Sequence, residues 1–247
     1  RALAALPRTD SGALPCDLAD LRTHRSGDFF VGLLEAFFDG RVVVFDVEST
    51  GADVYTDDIV QIAAVRLSPG GGEAARFERF LRPSRPVGAS ERVHGFSDAF
   101  LAENGGAPCA ALEDFLDFSK GCVLVGHNVM FDLTITSQNL ARAGSVRTLS
   151  NVWYDTLDIS RRYMKDLPNH KLSTVSAALG AAHDPSHNAM DDILATADVL
   201  SALITQYAAP YETARRAAYE KLLPRLEPFA RLLADVRAKT AALAAPE

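Results

Sequence analysis

The sequence of 247 residues has little cysteine and no long apolar segment. Its three cysteines, Cys16, Cys109 and Cys122, are an odd number with no two close together. That spacing fits neither a disulfide framework nor a zinc site, so reduced thiols are expected. No apolar run is long enough to cross a bilayer, and residues 1–7 lack the sustained apolar stretch of a signal peptide. A cytoplasmic protein without a membrane anchor is therefore expected.

Positive charge is also scarce. The chain has 25 Lys and Arg residues against 32 Asp and Glu residues, which gives a formal net charge of −7. This excess argues against a protein that coats long DNA by charge alone, because phosphate attracts basic surfaces. It does not exclude an enzyme that grips only a strand end, where bound divalent ions supply positive charge. The hydrophobic share of 48% is ordinary for a globular protein and excludes a disordered or fibrous chain.

Three regions follow from the patterning: an N-terminal helical extension over 1–40, a core domain over 41–208, and a helical extension or linker over 209–247. In the first, Ser26 is a predicted helix N-cap and Gly40 the C-cap. The C-terminal region has apolar residues at helical spacing that is broken near two prolines. The first residue is Arg1 rather than methionine, which fits a trimmed chain or a piece of a longer protein. The apolar stripe predicted for the first helix consists of Phe30, Leu33, Leu34, Phe37 and Phe38.

The core domain alternates between strand and helix patterns. Apolar and β-branched runs predict strands at 42–45, 59–67, 75–81, 122–125 and 152–154. Helical spacing predicts helices at 110–118, 131–143, 172–179 and 189–208. Three strands in succession, followed by alternating helices and strands, indicate an α/β fold with a mixed five-stranded sheet and helices on its faces.

Acidic residues follow the predicted strands. Asp46 and Glu48 come directly after the first strand, and residues two apart in a strand point to the same side. Two carboxylates that close repel each other unless a cation lies between them. Hard oxygen ligands of this kind suit Mg²⁺ or Mn²⁺. A solvated strand end with two incidental acids is an equally good interpretation of this pair alone.

Two further segments place acids at the start of helices. Asp132 follows the fourth strand and enters a helix, where an acid also interacts favourably with the helix dipole. Asp191 and Asp192 open the last core helix, and spacing alone does not choose between them. His187 precedes that helix on a loop, where a histidine beside a metal and a water is a natural general base.

Together these segments resemble the motifs of the DEDDh exonucleases, a family that includes the proofreading epsilon subunit of bacterial DNA polymerase III, ribonuclease T and oligoribonuclease. Residues 45–51 are similar to the family's Asp-Thr-Glu-Thr-Thr-Gly, with Val47 and Ser49 in place of two threonines. Residues 126–132 resemble its second motif, and the spacing of His187 to Asp192 its third. Residues 93–96 resemble its His-Gly-Ile loop, and 154–158 its Asp-Thr-Leu segment. The resemblance covers about residues 41–207.

The resemblance implies a ribonuclease H-like fold and two Mg²⁺ or Mn²⁺ ions. Asp46 would bridge both ions, with Glu48 and Asp192 on the first and Asp132 near the second. It also selects Asp192 over Asp191 and gives His187 the role of deprotonating the attacking water. The implied reaction is 3′→5′ removal of nucleoside 5′-monophosphates from a free 3′ end.

Candidate substrate-binding residues lie beside the acids. The backbone at Thr50 and Gly51 could approach the terminal sugar, because glycine leaves room. His94, Phe96 and Phe131 are candidates to stack on the last base, although core packing explains Phe131 equally well. Asn128 lies in the second motif and is a further candidate. A basic cluster of Arg161, Arg162, Lys165 and Lys171 is expected either to follow the nucleic-acid backbone or to be a solvated face.

Three functions stay in competition. The favoured one is a DNA exonuclease in repair or replication that acts on a free 3′ end, preferably of single-stranded DNA, with the flanking regions tethered to a polymerase, helicase or other nuclease module. A ribonuclease that trims RNA ends is the nearest alternative, since sensing a 2′-hydroxyl depends on fine contacts. An inactive scaffold that only binds protein partners is disfavoured, because all four acids and His187 are present.

Overall fold

The computed structural model describes residues 31–183, 185 and 188–208, together with 228, 231, 232, 234 and 236. Contacts divide the chain into one unit of Arg1–Ile204 and another of Thr205–Glu247. The predicted N-cap Ser26, the start of the apolar stripe at Phe30 and most of the predicted C-terminal extension lie outside the described residues. The three-region organisation stays a prediction. Within the described residues, no helix has both the length and the apolar character needed to cross a membrane.

A mixed five-stranded sheet in the order β3-β2-β1-β4-β5 forms the centre of the fold. The first three strands are antiparallel neighbours, whereas β4 and β5 run parallel to β1. The predicted ribonuclease H-like α/β fold is confirmed. The strands are β1 Val42–Ser49, β2 Ile59–Leu67, β3 Glu73–Phe80, β4 Val123–Gly126 and β5 Trp153–Asp155.

Helices surround this sheet and follow the chain order expected for an α/β fold. In the described part of the chain they are α1 Val31–Phe38, α2 Glu91–His94, α3 Asp98–Asn104, α4 Pro108–Phe118, α5 Met130–Arg142, α6 Thr156–Tyr163, α7 Leu172–Leu179 and α8 Ala189–Leu203. A 3₁₀ turn, Gly88–Ser90, precedes α2, and a π-helical turn, Ile204–Ala208, follows α8.

The main core lies between the sheet and helices α4 and α5. Val43, Phe45 and Val47 of β1 point to this face and belong to one buried apolar cluster with Phe115 of α4 and Leu133 of α5. Because successive strand residues alternate between faces, the even-numbered residues of β1 point the other way, and α8 contacts β1 and β2. Asp46 and Glu48 therefore leave β1 on the same side of the strand.

Several boundaries differ from the predicted ones. Strand β1 continues to Ser49 because it pairs with β2 beyond Phe45, so Asp46 and Glu48 are strand residues rather than residues after a strand. The last core helix changes to a π-helical turn at Ile204. Phe38 was predicted to complete the buried stripe of α1, but it is 42% exposed and packs edge-on against Phe37.

Three short helices, α2, α3 and α6, were not predicted. For α3, the Ser97 side chain accepts a hydrogen bond from the backbone N–H of Phe100 at 3.1 Å, which is an ordinary N-cap. For α6, Asp155 caps in the same way by accepting from the N–H of Leu157 at 2.9 Å. Both caps are visible in the sequence. The helices that follow are too short for a clear apolar period.

Candidate active site

The parallel strands end together at one edge of the sheet. Val44 of β1 pairs with Val125 of β4, and Gly126 pairs with Asp155 of β5. Residues that follow these positions therefore meet beyond the carboxyl ends of the strands, which is where open α/β sheets place ligands. The candidate site is built at this edge.

Asp46 and Glu48 are the two acids supplied by β1, and both side chains are partly buried. The strand around them is pinned by β2, since Asp46 pairs with Ala63 and Glu48 with Gln61. The pairing shifts between Glu48 and Ser49. The regular ladder thus fixes both carboxylates before the chain turns away into the 50–58 loop.

Asp132 comes from the first turn of α5 and is only 4% exposed. Its Oδ1 accepts a hydrogen bond from the backbone N–H of Val47 at 3.1 Å, which ties α5 to the strand between the two acids of β1. Its carboxyl group is also within hydrogen-bond reach of the Asp46 carboxyl group. A protonated carboxyl is needed for such a bond between two acids.

Asp192 adds its charge to this group. Asn188 caps α8 by accepting from the N–H of Met190 at 3.0 Å, so both acids lie in the first turn. Asp191 is exposed, whereas the negative charge of Asp192 acts on both Asp46 and Glu48. His187 lies outside the described residues, and its role as the base stays a prediction.

Three of the four carboxyl groups, those of Asp46, Glu48 and Asp132, have raised pKa values. Burial, and then the charges of Asp132, Glu48 and Asp192, raise the pKa of Asp46 well above its ordinary value. Burial and the charge of Asp192 raise the pKa of Glu48 to about 7. Burial is also the main cause that raises the pKa of Asp132 to about 8. Ionised acids in this cluster are unstable without a counter-charge, which is typical of a functional site.

The carboxylates of the site are suitable ligands for divalent cations, although their side chains are not yet arranged as a coordination sphere. Four carboxylates offer hard oxygen ligands of the kind that Mg²⁺ and Mn²⁺ prefer. Among the described residues, no three His, Cys, Asp or Glu side chains are already arranged as a coordination sphere. A bound cation would displace a proton from this cluster and supply the counter-charge. The raised pKa values are the observation that favours this exchange.

Asp155 is the residue that the sequence interpretation undervalued. Its Oδ1 accepts from the backbone N–H groups of Asn128 at 2.8 Å and Leu157 at 2.9 Å, and its carboxylate also accepts from that of Val129. It thus joins the end of β5, the start of α6 and the turn that leads to Asp132. The signal was present, because Asp155 ends a buried strand as Asp46 does.

Asn128 occupies a strained position in that turn. Its φ of 66° is the only positive value at a non-glycine residue in the described part of the chain. Asparagine tolerates this left-handed conformation better than other L-residues, and the bond from its N–H to Asp155 holds it there. The Asn128 side chain is exposed, next to the entrance of α5.

Thr50 and Gly51 form the start of a rigid loop. The Thr50 hydroxyl donates to Asp57 Oδ1 at 3.0 Å and accepts from the N–H of Asp58 at 3.0 Å, so its side chain closes the loop. A Cβ atom at Gly51 would overlap the Asp57 carboxylate. Glycine is required here by packing within the loop, and only the backbone remains to approach a substrate.

His94 is buried in the described fold, and both of its ring nitrogens have a hydrogen-bond partner. It is 6% exposed, its Nδ1 accepts from the N–H of Phe96 at 3.0 Å, and its Nε2 lies 3.0 Å from Ser90 Oγ. Its ring stacks on Phe96 at 5.2 Å, and Phe96 stacks on Phe100 at 5.4 Å. Phe96 is half-buried, and contact of either ring with a substrate stays a prediction.

Phe131 lies between the two interpretations given to it. It is partly buried and packs against the main apolar core, yet it immediately precedes Asp132 at the start of α5. The four residues of the basic cluster are exposed on α6 and on the segment that leads to α7. Contacts of these side chains with a substrate stay a prediction.

Comparison with known proteins places these motifs in one family. The model of the exonuclease family matches residues 43–200. The DNA polymerase III PolC-type protein of Caldanaerobacter subterraneus is 33% identical over 171 residues, which is 68% of this chain and 12% of that protein. The PolC-type protein of Clostridium perfringens is 34% identical over 168 residues, 67% of this chain and 11% of that protein. The chain thus spans about a ninth of these relatives.

Solved structures share the fold at low identity. Exonuclease X in complex with 5′ overhanging duplex DNA superposes with a TM-score of 0.52 and 21% identity, over 68% of this chain and 93% of that chain. E. coli exonuclease I in complex with a dT13 oligonucleotide gives a TM-score of 0.59 and 19% identity, over 70% and 42% of the two chains. With the family model and the order of the motifs, these likenesses show that the chain belongs to the exonuclease family, of the DEDDh, DnaQ-like type.

Proposed function

We propose that this chain is a metal-dependent 3′→5′ exonuclease domain that releases nucleoside 5′-monophosphates from DNA ends. The observation that supports it most is the group of four carboxylates at the carboxyl ends of the parallel strands, where Asp46, Glu48 and Asp132 all have raised pKa values. Acids that repel one another in this way destabilise a fold unless a bound cation offsets their charge, so their presence favours a cation-binding site.

The residues divide the work between holding charge and moving a proton. Asp46, Glu48, Asp132 and Asp192 would hold two divalent cations, which when bound offset charge on the phosphate and on the entering and leaving oxygens. His187 would take a proton from the attacking water. The water oxygen forms the new bond to phosphorus, and the bond from phosphorus to the 3′ oxygen of the preceding nucleotide breaks. Solvent returns a proton to that leaving oxygen.

DNA is the favoured substrate because of the relatives. The curated relatives are DNA polymerase III PolC-type proteins, and the similar solved structures include exonucleases in complex with DNA. This chain matches 11–12% of those polymerases, which supports a place in replication or repair beside a polymerase module. No described side chain distinguishes deoxyribose from ribose by itself.

The test is a comparison of matched DNA and RNA oligonucleotides, labelled at the 5′ end and incubated with Mg²⁺ or Mn²⁺. We expect a ladder that shortens from the 3′ end, with DNA cut faster than RNA. Replacement His187→Ala should slow the reaction by roughly 10²–10⁴-fold, the usual contribution of a general base. Calorimetric titration with Mn²⁺ should still detect binding to that variant.

Two outcomes would overturn parts of the proposal. Faster cutting of RNA would make the domain a ribonuclease with the same site. Absence of mononucleotide release from both substrates, across several metals, would leave only an inactive binding domain.

The variant Asp191→Asn is a control for the acids of α8. Asp191 is the exposed neighbour of Asp192 in the same helical turn, so the activity of this variant should stay close to that of the wild type.

A further inference from the structure

We propose that the phosphate backbone of the bound strand, on the 5′ side of the residue being removed, runs along a basic strip formed by Arg161, Arg162, Lys165 and Lys171. This rests on the proposed function, since it gives the same site a surface for its nucleic-acid substrate. All four side chains are exposed. Between positions 161 and 171 a single acid, Asp166, opposes them.

The fold brings these residues together from separate segments. Arg161 and Arg162 lie in the last turn of α6, and Lys171 immediately precedes α7. The Ser160 hydroxyl and His170 Nδ1 are 3.1 Å apart, so the chain between them turns back on itself. Arg161 and Lys171 each directly follow one residue of this contact, so the two segments that carry the cations are neighbours in the fold.

The strip is connected to the turn that positions Asp132. His127 Nε2 lies 2.8 Å from the carbonyl oxygen of His170, and His127 Nδ1 lies 2.9 Å from the hydroxyl of Thr156 at the start of α6. Burial is the main cause that lowers the pKa of His127, and the positive charge of Arg161 contributes. The field of the strip therefore reaches the second motif, next to the acids.

The ion pair between Arg161 and Asp158 offsets the charge of Arg161 only weakly. The Arg161–Asp158 pair is long, at 4.0 Å, and 60% of the Arg161 side chain is exposed. Such exposed pairs are worth little and do not remove the field. The carboxylates of the site repel a phosphate strand, and the chain as a whole has a net charge of −7. A local positive surface beside the site would offset that repulsion and orient the strand.

The number of cations in the strip sets the number of nucleotides involved. Four exposed side chains can each meet one phosphate. A single strand carries one phosphate per nucleotide, so a strand that meets all four passes about four phosphates. A benefit that grows over about that length and then levels off is a property of a backbone track, and a solvated charged face has no such length dependence.

The experiment uses the double variant Lys165→Gln and Lys171→Gln in the full chain, with Lys120→Gln as the matched control. Lys120 is also exposed, but it follows α4 at the opposite end of the sheet. We expect the double variant to raise KM several-fold on oligothymidylates longer than about four nucleotides, with a progressively smaller effect on shorter ones. The control should match the wild type at every length.

A binding measurement separates the strip from catalysis. Fluorescence anisotropy of a fluorescein-labelled oligothymidylate in EDTA reports binding without hydrolysis. The slope of log Kd against log salt should fall by about 0.7 for each lost phosphate contact, or about 1.4 for the double variant. An unchanged slope, an equal loss at all lengths, or an equal effect of Lys120→Gln would overturn the strip. Normal strip-dependent binding by a wild-type chain that releases no nucleotides would instead overturn the proposed nuclease function alone.

Discussion

The two ends of the parallel strands differ in how their charges are arranged. At the amino ends lies a cavity of about 640 Å³, whose lining includes Arg41, Cys122 and Arg147. Both of its arginines are paired, since Arg41 contacts Asp39 at 2.9 Å and Arg147 contacts Asp117 at 2.6 Å. The carboxyl ends instead hold acids that repel one another. Such perturbed acids are typical of functional sites, and they favour the carboxyl ends as the candidate site.

The largest expected effect comes from removing one acid at the carboxyl end. Asp46→Asn should lower nuclease activity by roughly 10²–10³-fold or more, because phosphate charge would no longer be met by a properly held counter-charge. The same change should raise the metal-free melting temperature, since one of the repelling charges disappears. Steady-state kinetics and calorimetry measure the two effects.

A matched substitution at the other end is the control for that prediction. Asp39→Asn removes an acid that is 59% exposed and paired with Arg41. Activity and metal-free stability should both stay near those of the wild type. If Asp46→Asn retained full activity, the assignment of the site would be wrong, and if both variants lost activity equally, the contrast between the two ends would be lost.

A smaller effect is expected at Asp155, which acts on the site through its hydrogen bond with the backbone N–H of Asn128. Asp155→Ala leaves the backbone N–H groups of Asn128 and Leu157 without their acceptor. We expect kcat to fall by roughly 10–100-fold, as for other residues that orient metal ligands, and the free energy of unfolding to fall by about 1–3 kcal/mol.

Rescue separates positioning from simple loss of stability. Asp155→Asn keeps an oxygen acceptor in nearly the same place, so it should restore most of the stability and a large part of kcat. KM for DNA should change little in either variant. A purely structural role would instead give a less stable protein whose folded fraction has the kcat of the wild type.

The pH dependence of metal-free stability gives the next effect in size. The folded pKa of Glu48 is about 7 and that of Asp132 about 8, whereas carboxyls of unfolded chains titrate near about 4. The folded chain therefore holds more protons between these values, so this contribution to stability is full at low pH and is lost as the pH rises through about 8. Melting temperatures in EDTA should fall by several degrees from pH 5 to pH 8.

Metal and mutation should both flatten this curve. Mn²⁺ or Mg²⁺ binds the ionised carboxylates and should stabilise the fold most at the upper end of the pH range. Asp46→Asn should reduce the slope without metal. A stability that rose with pH in EDTA would contradict the raised pKa values from which the cluster is argued.

The smallest effect is expected at the amino ends. Arg147→Gln breaks a pair whose two side chains are 38% and 65% exposed. Exposed pairs of this kind contribute less than about 1 kcal/mol, so unfolding by urea should shift only slightly and nuclease activity should not change. A large loss of activity would show that the amino ends of the strands also take part in the reaction, and the proposed difference between the two ends would then be wrong.

Much of the fold was predictable from local pattern. Strand β2 and helix α7 have the bounds that were predicted, since an apolar run and a helical period each end at a clear stop. The short helices α3 and α6 were not predicted, because they are marked by the N-caps Ser97 and Asp155 rather than by a helical period of apolar residues. Phe38 was misplaced because burial at the edge of a stripe depends on what packs there.

The candidate site shows the same division. Asp46 and Glu48 could be paired from strand alternation alone, whereas the choice of Asp192 over Asp191 came from resemblance and stays a prediction, with the charge of Asp192 acting on Asp46. The roles of Asp155 and His94 needed the structure, because hydrogen bonds between segments distant in sequence leave no mark on local spacing. His187 keeps its role as a prediction from its motif.

The sequence by itself determined the family, the order of the strands and the longer helices, and the presence of acids where strands end, because these depend on local periodicity and on residue identity. The tertiary structure decided which acids share one electrostatic environment, that Asp155 holds the turn before Asp132, and that exposed cations on α6 and before α7 lie beside each other. Those facts depend on burial and on distances across the sheet, and both arise only when the separate segments pack together.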